Sequence, residues 1–488
     1  MRSLTNPAGL ALVVLLALSF SANVVQSYGA KTTSRVCFAS VANFTANTAI
    51  GLCSHSVLHT LRVGANGTIA YVTTATTPQS TVLKLLPTYC NRRLAYPYLE
   101  PYLAVVGSGT EGPVATILSN PTIRANYIRA LITFMKSYPR CVGLFIDFSN
   151  LTTSQAAGYA AFMQALFQAA GTASLKLASA LPWEADRYAD VYYSVTLRSL
   201  SFNVLRTYDE FYSSLTTIVR PLNPLVAMAA PFNATTKTIS YNLYRWIIKG
   251  LNPSNIILGI SMYGRAFTVT KVSQFGATGT ASASVVSYCD ALLFSTKFGL
   301  QTSSSGESIS SSSSMAYVFT SFQSAELKLN FAVSNNLAGV ALFSLNTAGT
   351  NAELLRYVTS IIAPTPPTGF QYPVASYPTC GVSITFPSLV AITTQPTAST
   401  AAGGGTTRAG GVTTVAPGGG STAAGGGSTA AGGGSTAAGG GTTSAPQPAV
   451  VCGITVRSQY GGLVSSFCDS VLEINLYIQS GSACGVVV

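Results

Sequence analysis

Two side chains near the end of one short apolar run could do chemistry. The run covers residues 141–150 and places Asp147 two positions before Ser149. It lies between two stretches of helical periodicity, which predicts a buried parallel strand of an α/β fold. Alternate residues of a strand face the same side, so Phe145 shares a face with Asp147 and Ser149. In such folds the chemistry lies at the carboxyl ends of the strands, which makes Asp147 a candidate site residue.

Further apolar runs alternate with helical patterns along most of the chain. Such alternation predicts a parallel sheet whose strands are connected by helices. Besides residues 141–150, the predicted strands cover residues 35–41, 54–63, 101–107, 175–181, 200–209, 255–265 and 337–346.

The run at residues 141–150 resembles a motif of the chitinases of glycoside hydrolase family 18, Asp-Gly-x-Asp-x-Asp-x-Glu on the fourth strand of a (β/α)8 barrel. Gly143 matches the glycine and Asp147 the last aspartate, while Val142 and Phe145 replace the first two aspartates. Ser149 stands where the family has the glutamate that acts as general acid. Three later stretches are also similar to the family: residues 202–209, which end in Tyr-Asp, residues 255–265, which end in Tyr-Gly-Arg, and residues 324–343, which contain Ser-x-x-x-Lys and the eighth strand.

The resemblance implies a fold and a set of site residues. Residues 34–362 are expected to form an α/β fold, a (β/α)8 TIM barrel with a reduced insertion before the last strand. The family cleaves chitin with the help of the substrate's own acetamido group; Asp147 and Tyr208 keep the positions that orient this group. The glycan-binding residues expected from the resemblance are Asp147, Tyr208, Asp209, Tyr263, Arg265 and Phe343, and the implied disulfide joins Cys37 to Cys53. Trp183 is a further glycan-binding candidate because its ring could stack on a sugar face.

Arg206 replaces the methionine that the family has two positions before Tyr208. Both side chains should enter the mouth of the barrel because they are two apart on a strand. A lone carboxylate there costs several kcal/mol unless it is paired. We therefore predict a direct salt bridge between Asp147 and Arg206 that partly fills the acetamido pocket.

The chain outside the barrel divides into four segments. Residues 1–27 are typical of a secretory signal peptide, which predicts a secreted, extracellular protein. Residues 363–396 are a proline-rich extension, and residues 397–449 are a Gly/Ser/Thr/Ala-rich linker with a repeated Gly-Gly-Gly-Ser-Thr-Ala-Ala unit. Residues 450–488 form a short tail that contains cysteines. No stretch is long and apolar enough to predict a membrane span.

Composition narrows the partners further. Charged residues make up 8% of the chain, and its formal net charge is +12 without a Lys/Arg cluster, which argues against nucleic-acid binding. The nine cysteines fit no zinc spacing, so disulfides are expected and no metal or cofactor is. The two histidines, His55 and His59, are expected to be structural. Acceptor sequences for N-glycosylation begin at Asn43, Asn66, Asn150 and Asn233.

These observations favour a secreted chitinase-like protein that lacks efficient hydrolase activity. In this hypothesis it binds chitin or other glycans that contain N-acetylglucosamine, in an extracellular matrix with other matrix proteins. Losing a positioned general acid costs on the order of 10²–10⁴ in rate, and serine is no acid near neutral pH. One alternative is a weak or atypical glycosidase with a relocated acid, for which Glu184 is the candidate. The other is an extracellular scaffold or signalling protein with a defunct cleft.

Overall fold

The computed structural model describes residues 33–45, 48–208, 217–230, 232, 234–280, 283–345, 352–367, 369–372 and 380–381. The predicted signal peptide, linker and tail, most of the proline-rich extension, Asp209 and Asn233 lie outside the described residues.

Fourteen strands and ten α-helices are assigned within the described residues. The strands are β1 (Ser34–Ser40), β2 (His55–Val63), β3 (Ile69–Tyr71), β4 (Glu100–Ser108), β5 (Gly143–Ser149), β6 (Lys176–Pro182), β7 (Asn203–Arg206), β8 (Ile256–Ser261), β9 (Tyr263–Thr268), β10 (Ser284–Ser287), β11 (Gln301–Thr302), β12 (Ser308–Ser311), β13 (Met315–Phe319) and β14 (Gly339–Phe343). The helices are α1 (Gln79–Cys90), α2 (Arg92–Ala95), α3 (Gly112–Ser119), α4 (Pro121–Lys136), α5 (Ala156–Thr172), α6 (Ala185–Tyr192), α7 (Ile239–Ile248), α8 (Tyr288–Phe298), α9 (Phe322–Ser334) and α10 (Glu353–Ile362).

Eight parallel strands close into a barrel, which confirms the predicted (β/α)8 fold. Their order is β1-β14-β8-β7-β6-β5-β4-β2, and β1 also pairs with β2, while β3 adds to β2 in antiparallel orientation. Gly143 begins β5 because the neighbouring strand approaches closely: a Cβ there would lie 2.1 Å from the carbonyl oxygen of Lys176. Most predicted strands agree with the observed ones within a few residues.

Two apolar cores hold the barrel together. One fills the barrel with side chains from the inward-facing positions of the strands, among them Phe38, Tyr102, Phe145 and Phe202. The other lies between the strands and the surrounding helices, where alternate strand residues meet the apolar faces of helices such as α4 and α5. The period of two along each strand thus separates the two cores.

The insertion before the last barrel strand is an antiparallel sheet with one helix. The sheet has the order β10-β9-β13-β12-β11, and α8 connects β10 to β11. The predicted single strand at residues 255–265 is wrong here, because β8 ends at Ser261 and Tyr263 begins β9 in this second sheet. No proline or loop sequence interrupts the run, so its apolar pattern did not show the change of sheet.

Three disulfides are present in the described part of the chain. They join Cys37 to Cys53, the pair that the family resemblance implied, Cys90 to Cys141, and Cys289 to Cys380. Within the described ranges, no helix combines the length and the apolar character that a membrane crossing needs.

Candidate functional site

An ion pair lies across the mouth of the barrel. Asp147 near the end of β5 accepts a hydrogen bond from Nη1 of Arg206, the last residue of β7, with 2.7 Å between Nη1 and Oδ1. The Asp147 side chain is 10% exposed and that of Arg206 is 23% exposed, so both are shielded from solvent. The predicted Asp147–Arg206 salt bridge is therefore confirmed.

His59 is the third member of this cluster. It lies on β2, and its Nε2 atom is 3.5 Å from Oδ2 of Asp147. That distance comes without hydrogen-bond geometry, and Nε2 is a buried atom with no hydrogen-bond partner among the described residues. The sequence analysis assigned His59 a structural role. Its position on the inward face of a strand was the signal that it shares the barrel interior with Asp147.

The pKa values of the cluster follow from burial and mutual charge. Burial lowers the pKa of His59, and the Arg206 guanidinium adds to this, while the Asp147 carboxylate opposes it. Burial also acts to lower the pKa of Arg206, but Asp147 and nearby tyrosines outweigh burial, so the net pKa is raised. Near neutral pH the cluster therefore consists of a neutral imidazole and a charged guanidinium against Asp147.

Aromatic rings surround the cluster. The rings of Tyr208 and Phe343 stack, with centroids 4.8 Å apart and planes inclined by 13°. Phe343 also contacts Phe38 at 5.6 Å and His59 at 6.0 Å between centroids. Phe145, at the position of a family aspartate, packs against Phe38 at 5.3 Å. One face of Phe343 is thus covered by Tyr208, so the face is not open for stacking a sugar.

Ser149 lies two residues beyond Asp147 at the end of β5. Its hydroxyl donates a hydrogen bond to the carbonyl oxygen of Gly107, at 3.3 Å between the two oxygens. The neighbouring strand places Ser108 beside it in register. A hydroxyl that donates to backbone can position the strand end, but it cannot supply a proton as a carboxylic acid does.

A buried polar network contacts Thr207, the residue between the end of β7 and Tyr208. Lys328, in the Ser-x-x-x-Lys stretch, donates to Glu307 at 3.0 Å and to Asn223 at 2.5 Å, and both charged side chains are almost fully buried. Asn223 in turn donates to the carbonyl oxygen of Thr207 at 2.6 Å. The network therefore connects α9 and the insertion to the residue before Tyr208.

The remaining candidate residues lie at various distances from this centre. Trp183 directly follows β6 at the same end of the barrel and is half-buried. Glu184 pairs with Arg187 at 3.5 Å. Tyr263 and Arg265 are in strand β9 of the insertion, where the guanidinium lies 5.7 Å from the tyrosine ring centre.

The described glycosylation candidates are all on the surface. Asn43, Asn66 and Asn150 have exposed side chains, and Asn150 directly follows Ser149 at the mouth. Its left-handed backbone, with φ of 51°, turns the chain away from β5. These positions remain predicted modification sites.

A cavity of about 450 Å³ opens at the opposite end of the barrel. Its lining includes Arg93, Lys136 and Lys176. Helices α4 and α5 end nearby, and cations are favoured at the carbonyl-bearing ends of helices. This cavity is remote from Asp147, so we do not count it as part of the candidate site.

The comparisons with known proteins agree with this architecture. Residues 30–348 match the family model described as glycosyl hydrolases family 18. No curated protein matches the chain in sequence. The structure is similar to Ostrinia furnacalis Group IV chitinase in complex with allosamidin, with a TM-score of 0.59, 17% identity and coverage of 68% of this chain and 99% of that one.

Two further solved structures are similar to the same extent. The GH18 chitinase from Cycas revoluta, in complex with (GlcNAc)3, has a TM-score of 0.58 and 17% identity, with 67% of this chain and 99% of that chain covered. Human YKL-39, described as a pseudo-chitinase with retained chitooligosaccharide binding properties, has a TM-score of 0.59 and 17% identity, with 68% and 100% covered. At these identities the likeness concerns the fold.

Proposed function

The chain belongs to glycosyl hydrolase family 18, and on that premise we propose that it is a secreted chitinase-like protein that does not hydrolyse chitin efficiently. It binds chitin or related glycans that contain N-acetylglucosamine, in an extracellular matrix. Human YKL-39, described as a pseudo-chitinase with retained chitooligosaccharide binding, is a precedent for this combination on the same fold.

The single observation that carries the proposal is the ion pair between Asp147 and Arg206. Substrate-assisted hydrolysis needs a carboxylate that is free to orient the acetamido group of the sugar. Here one oxygen of Asp147 is bound by a guanidinium at 2.7 Å. Arg206 stands where the family has methionine, and its guanidinium lies beside the carboxylate that would orient the acetamido group. A sugar would have to displace a shielded ion pair to enter.

The second support is the acid position. Ser149 stands there, and its hydroxyl donates to Gly107 at 3.3 Å. Restoring a carboxylate at this position alone leaves Arg206 and Phe145 in place. We therefore expect that Ser149→Glu does not restore full activity, because the acid would be present without a site for the acetamido group.

Two assays on the purified full chain test the proposal. The first measures release from a chromogenic chito-oligosaccharide, and the second measures retention on chitin beads. We expect retention without turnover, and weaker retention of Trp183→Ala, because an aromatic face supplies about 1 kcal/mol in stacking. Tyr244→Ala is the matched control, since that exposed aromatic lies on α7.

Each result separates the candidates. Turnover of the wild type at ordinary chitinase rates would refute the proposal. Absence of retention on chitin would favour the extracellular scaffold with a defunct cleft. If Trp183→Ala and Tyr244→Ala reduce retention on chitin equally, Trp183 does not contribute to chitin binding.

The relocated-acid alternative has one observation in its favour. Glu184 follows β6 at the same end of the barrel as Asp147. Its partner Arg187 lies 3.5 Å away in an exposed ion pair. Slow hydrolysis that disappears in Glu184→Gln but persists in Glu326→Gln would support this alternative.

A further inference from the structure

The cavity at the end of the barrel opposite Asp147 is lined by three cations and, among the described residues, by no carboxylate. The cations are Arg93, Lys136 and Lys176, and the volume is about 450 Å³. Pockets that hold small ligands commonly have about 300–1,000 Å³, so this cavity is large enough for one. All three cationic side chains are exposed, which leaves them accessible to a ligand.

The fold brings these cations together from distant positions. Arg93 lies on α2, Lys136 is the last residue of α4, and Lys176 is the first residue of β6. In a (β/α)8 barrel the segments that lead into successive strands meet at the end opposite the strand carboxyl ends. The sequence therefore showed no Lys/Arg cluster, although the folded chain has one.

A disulfide holds Arg93 at the edge of the cavity. Cys90, the last residue of α1, lies three positions before Arg93 and is bonded to Cys141, which is part of the lining. Both cysteines are 2% exposed. This crosslink fixes the segment that carries Arg93 against the start of β5. Arg140, next to Cys141 in the chain, adds a further cation there and donates to Asn91 at 3.0 Å.

The positive charge of the cavity is only partly neutralised. Lys176 pairs with Glu100. Within the part of the chain that the structure describes, no carboxylate lies within ion-pair distance of Arg93 or Lys136. The dipole of α4 favours a cation at Lys136, but that argument does not extend to Arg93 or to Lys176. An anion in the cavity would reduce the repulsion among these like charges.

The rest of the lining is suited to a sugar ring. Met135, Pro139, Val142 and Leu175 supply apolar surface against which the C–H groups of a ring can pack, and Ser174 offers a hydroxyl that can donate or accept a hydrogen bond. No aromatic side chain is among the described lining residues. Stacking on aromatic rings is a main contribution to the binding of single-stranded nucleic acids. The lining thus favours an acidic sugar over a nucleic acid.

We propose that this cavity binds an acidic sugar, which is a sugar unit of a polysaccharide that carries a sulfate or a carboxylate group. The planar guanidinium of Arg93 is suited to bind two oxygens of such a group at once. The ammonium groups of Lys136 and Lys176 donate further hydrogen bonds. The sugar ring packs on the apolar surface of the cavity.

This site lies at the opposite end of the barrel from the mouth that is proposed to bind chitin. A chain that uses both ends connects chitin to an acidic polysaccharide. That connection rests on the proposed function, whereas the acidic-sugar site does not. An assay without chitin therefore tests the cavity by itself, and retention on chitin beads tests the mouth.

The test is titration calorimetry of the purified full chain with a heparin hexasaccharide, which carries both sulfate and carboxylate groups. Arg93→Gln/Lys136→Gln should raise the Kd at least about tenfold, because charge-assisted hydrogen bonds are lost. The matched control, Lys84→Gln/Arg129→Gln, removes the same charge from exposed positions on α1 and α4. Arg129 lies about two turns before Lys136. The control should change the Kd less than about twofold at ionic strength of about 0.1 M, where charges a Debye length away are largely screened.

Lysine acetylation of the wild type gives a second measurement that does not depend on a variant. The bound hexasaccharide should protect Lys136 and Lys176 from acetylation, as read by mass spectrometry, and should leave Lys84 as reactive as before. Inorganic sulfate at the same concentration of sulfate groups should not displace the hexasaccharide, because it gains nothing from the apolar surface. Single-stranded DNA of equal charge should bind more weakly than the hexasaccharide.

Five results would overturn the proposal. The first is the absence of hexasaccharide binding. Equal losses of affinity in the two double variants, or equal protection of Lys84 and Lys136, would show attraction by the net charge of the chain alone. Displacement by inorganic sulfate would show a site for free anions only. Equal binding of single-stranded DNA would show a site for polyanions without selectivity for sugars.

Discussion

Replacing Arg206 by methionine should destabilise the folded chain by about 3 kcal/mol. Removing one partner of a buried ion pair leaves the other charge uncompensated, which costs roughly 3–5 kcal/mol. The Asp147 side chain is 10% exposed, and His59 lies 3.5 Å away, so the lower end of that range applies. The free energy of unfolding, measured by urea denaturation at neutral pH, should fall accordingly without a change in the slope.

A double replacement separates the ion pair from simple packing. Asp147→Leu/Arg206→Met should recover most of the loss, because an apolar pair of similar volume replaces a buried ion pair at little or no cost. The matched control is Arg245→Met, which breaks an exposed pair with Asp186 whose N–O distance is also 2.7 Å. Exposed pairs contribute about 0–1 kcal/mol. Equal losses for Arg206→Met and Arg245→Met would refute the reasoning.

Three further predictions address other parts of the molecule. Burial, aided by Lys176 and opposed by Glu100, lowers the pKa of His55 from 6.5 to about 4. As the pH falls, the unfolded chain takes up this proton before the folded chain does, so the free energy of unfolding drops by up to about 3 kcal/mol between pH 6.5 and pH 4. Urea denaturation of His55→Gln should show a flatter dependence of that free energy on pH. A pH dependence equal to that of the wild type would contradict this. Lys328→Met should cost about 3–5 kcal/mol because Glu307 loses its buried partner, and calorimetric melting should show Glu307→Gln/Lys328→Met to be more stable than the single variant. Titration calorimetry with an N-acetylglucosamine trimer should give a Kd weaker than micromolar, because Phe343 already stacks on Tyr208; micromolar or tighter binding would count against this.

The sequence predicted the barrel and its ion pair because both depend on local regularities. A strand period of two places Asp147, Arg206 and Tyr208 at one mouth once the strands are parallel. The lone carboxylate of Asp147 then needs a countercharge, and Arg206 stands at the family's methionine position to supply it. Charge pairing in a buried place is a strong constraint, so the partner could be named before the structure.

Features that depend on non-local packing were not predicted. The change of sheet at Met262 has no sequence signal, since both halves of the run favour strands. The disulfide between Cys289 and Cys380 joins residues 91 positions apart, and no spacing in the sequence indicated that pair. The contact of His59 with Asp147 depends on β4 lying between β2 and β5 in the sheet, which brings both side chains to the same part of the barrel.

Each end of the barrel interior carries a histidine, a carboxylate and a cation, and the difference between the two clusters points to the functional end. At one end His55 lies 3.5 Å from Glu100, which pairs with Lys176, and the imidazole Nδ1 is bound to Ser54 at 2.8 Å.

At the other end His59 lies 3.5 Å from Asp147, which pairs with Arg206, but its buried Nε2 has no hydrogen-bond partner among the described residues. A buried polar atom without a partner costs about 1–3 kcal/mol. Stability alone does not favour such an atom, whereas a ligand hydroxyl could satisfy both Nε2 and the second oxygen of Asp147. The cluster at the mouth therefore keeps unused hydrogen-bonding capacity, as a binding site that has lost its acid would.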